Sequence, residues 1–156
     1  MEKSMKKSKK SDKNDKKAEK QAKQDKIYEK AYEAKKEEFK KSSSDPVGLL
    51  DTLLDKPPFK ASSLELKQDT FKMVIKTLCK LKTSEIEAAI DKLGEDKAID
   101  LMKYWYKAFE MVHKGEQAVI EILNFAVLLN YINMTWDKYP SIGIARTGFE
   151  RGDLYE

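Results

Sequence analysis

The sequence predicts an all-α protein, a small helical bundle or α-α superhelix of about five to seven helices preceded by a basic amino-terminal arm. Three observations predict it. Only 6 of 156 residues are Gly and 4 are Pro while 37 % are charged, and turn-rich β folds use more of both breakers. From Val47 onward, apolar residues recur at three- and four-residue spacing instead of alternating. Cap and stop signals separate these repeats at helix-sized intervals.

The formal net charge of +4 is unevenly divided. Residues 1–44 hold 16 Lys against 9 Asp or Glu, which is +7, and residues 45–156 hold 15 Lys or Arg against 18 acids, which is −3. The division gives two units, a Lys-rich arm over 1–44 and a helical domain over 45–156. Because the basic character belongs to the arm, a basic nucleic-acid-binding domain is disfavoured. The single Cys, Cys79, excludes an intramolecular disulfide and a multi-Cys zinc site, and it suits a reducing compartment. The polar amino terminus has no apolar core, so it does not read as a secretory signal.

Residues 1–17 carry almost no apolar side chains and are expected to be disordered. From Ala18 to Lys41 the composition turns helix-prone, and Tyr28, Tyr32 and Phe39 share a thin stripe. Either a docked helix or a solvated charged segment fits that pattern. Asp45-Pro46 then reads as a cap followed by a first-turn proline. The short helix it starts carries Val47, Leu50, Leu53 and Leu54 and must stop at Pro57-Pro58. Ser62 or Ser63 caps the next helix, whose face is Phe71, Val74, Ile75, Leu78 and Leu81. Ser84 with Glu87 matches a capping box, ahead of Ile86, Ala89, Ile90 and Leu93. Gly94 fits a helix-ending position.

The stretch Ile99–Glu110 holds three aromatic residues in a row and is apolar around most of its circumference. At 3.6 residues per turn, Ile99, Met102, Tyr106 and Phe109 form one stripe, flanked by Leu101, Trp105 and Ala108. Asp100, Lys103, Lys107 and Glu110 are expected to face water. So apolar a helix requires cover on several sides, from its own chain or from partner subunits. After Gly115, residues Ala118–Trp136 read as one long apolar helix. One Glu and three Asn interrupt it, which argues against a membrane span and for burial within an assembly. Pro140 ends it, and an extended tail follows.

Nothing in the chain is arranged for chemistry. His113 has no His or Cys partner at ligand spacing and suits a helix carboxyl terminus. Cys79 reads as a small buried hydrophobe. Carboxylates form solvated helix faces, and there is no glycine-rich phosphate loop. No catalytic, cofactor-binding or metal-ligating residue is therefore expected. The Lys-rich arm has three readings: a solvated arm, a contact with an acidic protein surface, or a salt-sensitive contact with nucleic acid or anionic membrane.

Three blocks resemble subunit 5 of the actin-related protein 2/3 complex, the small helical subunit family of the branched-actin nucleator. They are Leu53-Leu54-Asp55-Lys56-Pro57-Pro58-Phe59, the span Phe71–Phe109 with its Leu101-Met102-Lys103-Tyr104-Trp105-Tyr106-Lys107 run, and Ser141-Ile142 with Arg146-Thr147. The motifs cover residues 47–147. Residues 1–44 depart from the acidic and aromatic pattern of that family's amino terminus, so its tethering role is not carried over.

The resemblance implies a non-catalytic structural subunit without cofactors, in the cytoplasm, the actin cytoskeleton and cell projections. It would support branched nucleation by helping to position actin-related protein 2. Its implied partners are actin-related protein 2, the WD-repeat subunit, subunit 4, and actin filaments through the complex. Tyr104, Trp105, Tyr106 and Phe109 would supply core and interface packing, as would Ile122 and Leu129, seven apart on one helix face. Ile142 and Ile144 would lie in a partner's groove. The alternative is a helical adaptor whose basic arm contacts nucleic acid or anionic membrane.

Overall fold

The computed structural model describes residues 2–41 and 44–140, with side chains from residue 15 onward. The described residues form helices joined by short turns, with no strand: α1 Glu2–Lys40, α2 Pro46–Leu53, α3 Leu64–Leu78, α4 Thr83–His113, α5 Gln117–Ile120 and α6 Phe125–Lys138. The small all-α fold expected from composition and periodicity is the one that forms.

Local chemistry explains most boundaries. α1 contains neither Gly nor Pro, so its backbone continues as helix through residues 2–17, where composition argues for disorder. Exposed pairs such as Glu19–Lys23 at 2.7 Å add a little support. At α2, Asp45 caps as expected: its carboxylate accepts the Gly48 N–H at 2.9 Å, and Pro46 occupies the first turn. Between the two candidates for α3, Ser63 is the cap, accepting the Leu66 N–H at 3.3 Å.

α4 starts earlier than its sequence signal implies. Lys82 is the capping residue, and Glu85 folds back to accept the Lys82 N–H at 2.8 Å. The Ser84–Glu87 register is thus displaced by two residues, because Glu85 already supplies the carboxylate at the third helical position. Gly94 breaks α4 with φ 70 and ψ 177. That backbone region belongs to glycine, and it divides α4 into limbs 83–93 and 95–113.

The expected single helix over Ala118–Trp136 is corrected by the structure. α5 ends at Ile120, and α6 begins after Asn124, whose side chain accepts the Val127 N–H at 3.4 Å. Asn124 interrupts the run because its short amide satisfies a new helix start better than it continues an old one. Among the described residues no helix is long and apolar enough to cross a membrane.

α4 is the hub, packing against α6, α2, α3 and α5, while α1 lies on α2 and α3. The core unites Leu50 and Leu53 of α2 with Leu54 just after it, Phe71, Val74, Ile75 and Leu78 of α3, Ile86, Ile90 and Leu101 of α4, and Leu128 and Tyr131 of α6. Each fully buried Leu or Phe contributes about 1.5–3 kcal/mol relative to exposure. Directional contacts fix the register. The Tyr131 hydroxyl donates to the Ala98 carbonyl at 3.1 Å, joining α6 to α4. Lys97 pairs with Asp51 at 2.7 Å, joining α4 to α2.

Candidate interaction surface

The aromatic cluster of α4 is sorted by burial. Tyr104 is 1 % exposed, and its ring lies 5.5 Å from Phe59 and 6.4 Å from Phe71. It is a core residue that holds the loop after α2 against α3. Trp105 is also buried, edge-on to Tyr106 at 5.0 Å and tilted on Phe109 at 4.1 Å. Tyr106 and Phe109 are half-buried. Phe109 meets Phe125 edge to face at 5.5 Å, and Phe125 is 41 % exposed. A file of rings therefore runs from the core through Trp105 and Phe109 to the surface at the start of α6.

The expected stripe is not the most buried line of this helix. Ala98, Leu101, Met102, Trp105 and Ala108 are buried, whereas Tyr106 and Phe109 at the end of the stripe are only half-covered. Lys103, expected to face water, is 3 % exposed. Its ammonium pairs with Asp100 at 2.7 Å and sits 4.8 Å from the centre of the Phe59 ring. The proline-stopped loop that carries Phe59 covers this side, so the charge is held by a carboxylate and a ring face in place of solvent.

Ile122 and Leu129 do not share a helix face. Ile122 lies in the turn between α5 and α6 and is half-buried, while Leu129 lies in α6 at 50 % exposure. The Asn124 start separates them. Leu129 belongs instead to an outward row with Phe125 and Trp136, the latter 37 % exposed. Their spacings of four and seven place them on one face of α6. The adjoining face, Val127, Leu128, Tyr131, Ile132 and Thr135, is buried against the core. Phe125 and Trp136 escaped the sequence reading because they share one broad apolar arc with the buried residues, on all but the side that carries Asn130, Asn133 and Asp137, so periodicity alone does not say which part of that arc is covered. Ile142 and Ile144 lie outside the described residues.

The polar groups are arranged for structure. Glu110 accepts from Lys114 at 2.6 Å and Lys107 at 3.1 Å, and these bonds hold its carboxyl down at about 2. The Cys79 sulfur accepts the Asn124 N–H at 3.2 Å, tying the end of α3 to the start of α6. Burial pushes the thiol up, which keeps it protonated and poorly nucleophilic. His113 closes the last turn of α4, at the negative end of the helix. Among the described residues no group of three or more His, Cys, Asp or Glu is placed to hold a metal ion.

Comparison with known proteins adds two findings. The model of the family described as the ARP2/3 complex 16 kDa subunit (p16-Arc) matches residues 2–146. This extends nearer the amino terminus than the 47–147 carried by the motifs. The chain is also similar to the actin-related protein 2/3 complex subunit 5-C of Xenopus laevis, with 34 % identity over 74 residues, 47 % of this chain and 49 % of that protein. The aligned part thus spans about half the length of that relative.

Proposed function

The chain belongs to the family of the ARP2/3 complex 16 kDa subunit (p16-Arc), and from that premise we propose that it is a non-catalytic structural subunit of an actin-related protein 2/3 complex. Its role is to support nucleation of branched actin filaments by helping to hold actin-related protein 2 in position. Its partners in this reading are actin-related protein 2, the WD-repeat subunit and subunit 4, with actin filaments reached through the complex. Its place is the cytoplasm, the actin cytoskeleton and cell projections.

The family match over residues 2–146 carries the reading, and one surface feature fits it: the row Phe125, Leu129 and Trp136 on α6, exposed at 41 %, 50 % and 37 %. Large apolar side chains in a row mark protein contact sites, and aromatic residues are the usual energetic anchors of interfaces. The row is held rigidly. Phe125 leans on Phe109, and the buried face of α6 is fixed to α4 by the Tyr131 bond. Such a surface enters an assembly with little ordering of its own, which favours association. The contribution to nucleation is then positional, since the chain supplies fixed geometry and leaves the chemistry to other subunits.

The test is native affinity purification of the tagged full chain from its own cells, followed by mass spectrometry at moderate salt. Stoichiometric recovery of two actin-related proteins with the other small subunits is expected. The pair Leu129→Ser and Trp136→Ser should lose that recovery while the thermal transition of the chain stays put. Nucleic acid or membrane proteins eluting with wild type, without actin-related proteins, would overturn the proposal.

A further inference from the structure

We propose that α1 is a strap that docks on the α2–α3 face and lifts from it as a unit, while the remaining helices stay folded. The docking row is Gln21, Asp25, Tyr28, Tyr32, Lys35 and Phe39. Its spacings of four, three, four, three and four put all six on one helix face. An apolar row at this spacing would clamp a helix permanently, but this row is mostly polar.

Its contacts go to defined atoms. The Gln21 amide donates to the Lys60 carbonyl at 3.0 Å, and Asp25 accepts the Ser62 N–H at 3.0 Å. The Tyr32 hydroxyl donates to Asp69 at 2.8 Å, and the Lys35 ammonium donates to the Lys56 carbonyl at 3.2 Å. Lys80 lies 5.7 Å from the centre of the Phe39 ring. These bonds fix register and direction, yet each contributes little net free energy, because water offers equivalent partners to a lifted helix. The bonds of Gln21 and Asp25 to the chain beneath are already exposed to solvent.

The apolar contribution is thin. α1 gives the core no buried apolar side chain and only Tyr32 and Phe39 at its margin. Its Ile27 is 57 % exposed. Lys35 itself opposes docking. It is 5 % exposed, and burial lowers its pKa to about 8, with Lys97 and Lys56 adding to the effect and Asp55 opposing it. By contrast, α6 is held by Leu128 and Tyr131, both 0 % exposed. The fold thus joins a specifically docked but weakly driven helix to a strongly driven core. Lifting would uncover the α3 surface around Leu66 and Thr70 and free the Tyr28, Tyr32 and Phe39 edge of α1 at the same moment.

The experiment is native-state hydrogen exchange of the full chain, read by mass spectrometry for residues 21–40 and for the α3, α4 and α6 core. In wild type, α1 amides should exchange at least about 100-fold faster than core amides and still slower than an unstructured peptide. Asp25→Ala combined with Tyr32→Phe should speed α1 exchange about tenfold or more, and core amides should speed by the same factor, because the docked state is raised against both the lifted and the unfolded states. Tyr131→Phe, which removes a bond between α6 and α4 that survives lifting, should speed core exchange and leave α1 unchanged. Lys35→Met should slow α1 and core exchange together, since it lowers the docked state against both the lifted and the unfolded chain. Equal protection of α1 and core in wild type, or acceleration of α1 by Tyr131→Phe as large as that of the core, would overturn the proposal. Exchange of α1 at the rate of unstructured peptide, indifferent to every substitution, would overturn it too.

Discussion

Gly94→Ala should destabilise the chain although the added methyl group touches nothing. A Cβ built at Gly94 meets no heavy atom within 4 Å, so crowding plays no part and the backbone alone decides. With φ 70 and ψ 177, the position lies in a region where a residue with a side chain is strained by about 1–3 kcal/mol. Alanine also restricts the unfolded chain, which returns about 0.4–1 kcal/mol. The net loss is about 1–2 kcal/mol, or a fall in Tm of about 2–8 °C for a chain of this size.

Thermal melts followed by far-ultraviolet circular dichroism would measure the loss. A semisynthetic chain with D-alanine at position 94 is the control, since D-alanine adopts positive φ readily and should match or exceed wild type. Straightening of α4 offers no cheap escape. One continuous helix over 83–113 would turn Ile90 and Leu93 away from the core they share with Leu101 and Met102, and the loss would grow. An unchanged or raised Tm for Gly94→Ala would refute the reasoning.

Lys35→Met tests the buried ammonium through pH. With its pKa at about 8 instead of the ordinary 10.5, the folded chain binds fewer protons than the unfolded chain between those values. Wild type therefore gains stability as pH rises through that window, by up to about 3 kcal/mol at 1.36 kcal/mol per pH unit, and the Met variant does not. After about 1–1.5 kcal/mol for the lost bond to the Lys56 carbonyl, the variant should be more stable by about 2 kcal/mol at pH 7. The advantage should vanish near pH 10, and urea unfolding that shows a pH-independent difference would contradict this account. Tyr131→Phe removes the buried bond to the Ala98 carbonyl and should cost about 1 kcal/mol with little change in m-value. Asp45→Ala removes the α2 cap and should cost about 1 kcal/mol; a loss below about 0.3 kcal/mol in chemical denaturation would mean the bond to Gly48 contributes nothing net.

Local signals made much of this molecule legible in its sequence. Asp45-Pro46, the Ser62-Ser63 pair, Pro57-Pro58 and Gly94 each act within a few residues of themselves, so helix starts and stops follow from capping and backbone geometry without knowledge of the fold. The same holds for the all-α class, because an apolar repeat of three and four has only one backbone that gathers it on a face. The missed boundaries are of a different kind. At α4, two carboxylates competed for one capping position, and at Asn124 a cap lay hidden inside an apolar run.

Tertiary structure decided which face of each apolar helix meets the core. Phe125, Leu129 and Trp136 are no less apolar than Leu128 and Ile132, yet the first three face outward because α4 covers only one side of α6. Lys103 is buried because Phe59, distant in sequence, arrives above it. Tyr104 became core and Phe125 surface for the same reason. α1 stays on α2 and α3 through bonds to Lys56, Lys60, Ser62 and Asp69, none of which its own residues imply. The sequence by itself determined where helices form, since capping and backbone propensity are properties of neighbours along the chain. Only the packed structure decided what each helix buries and what it presents, since burial is a relation between segments far apart in the chain.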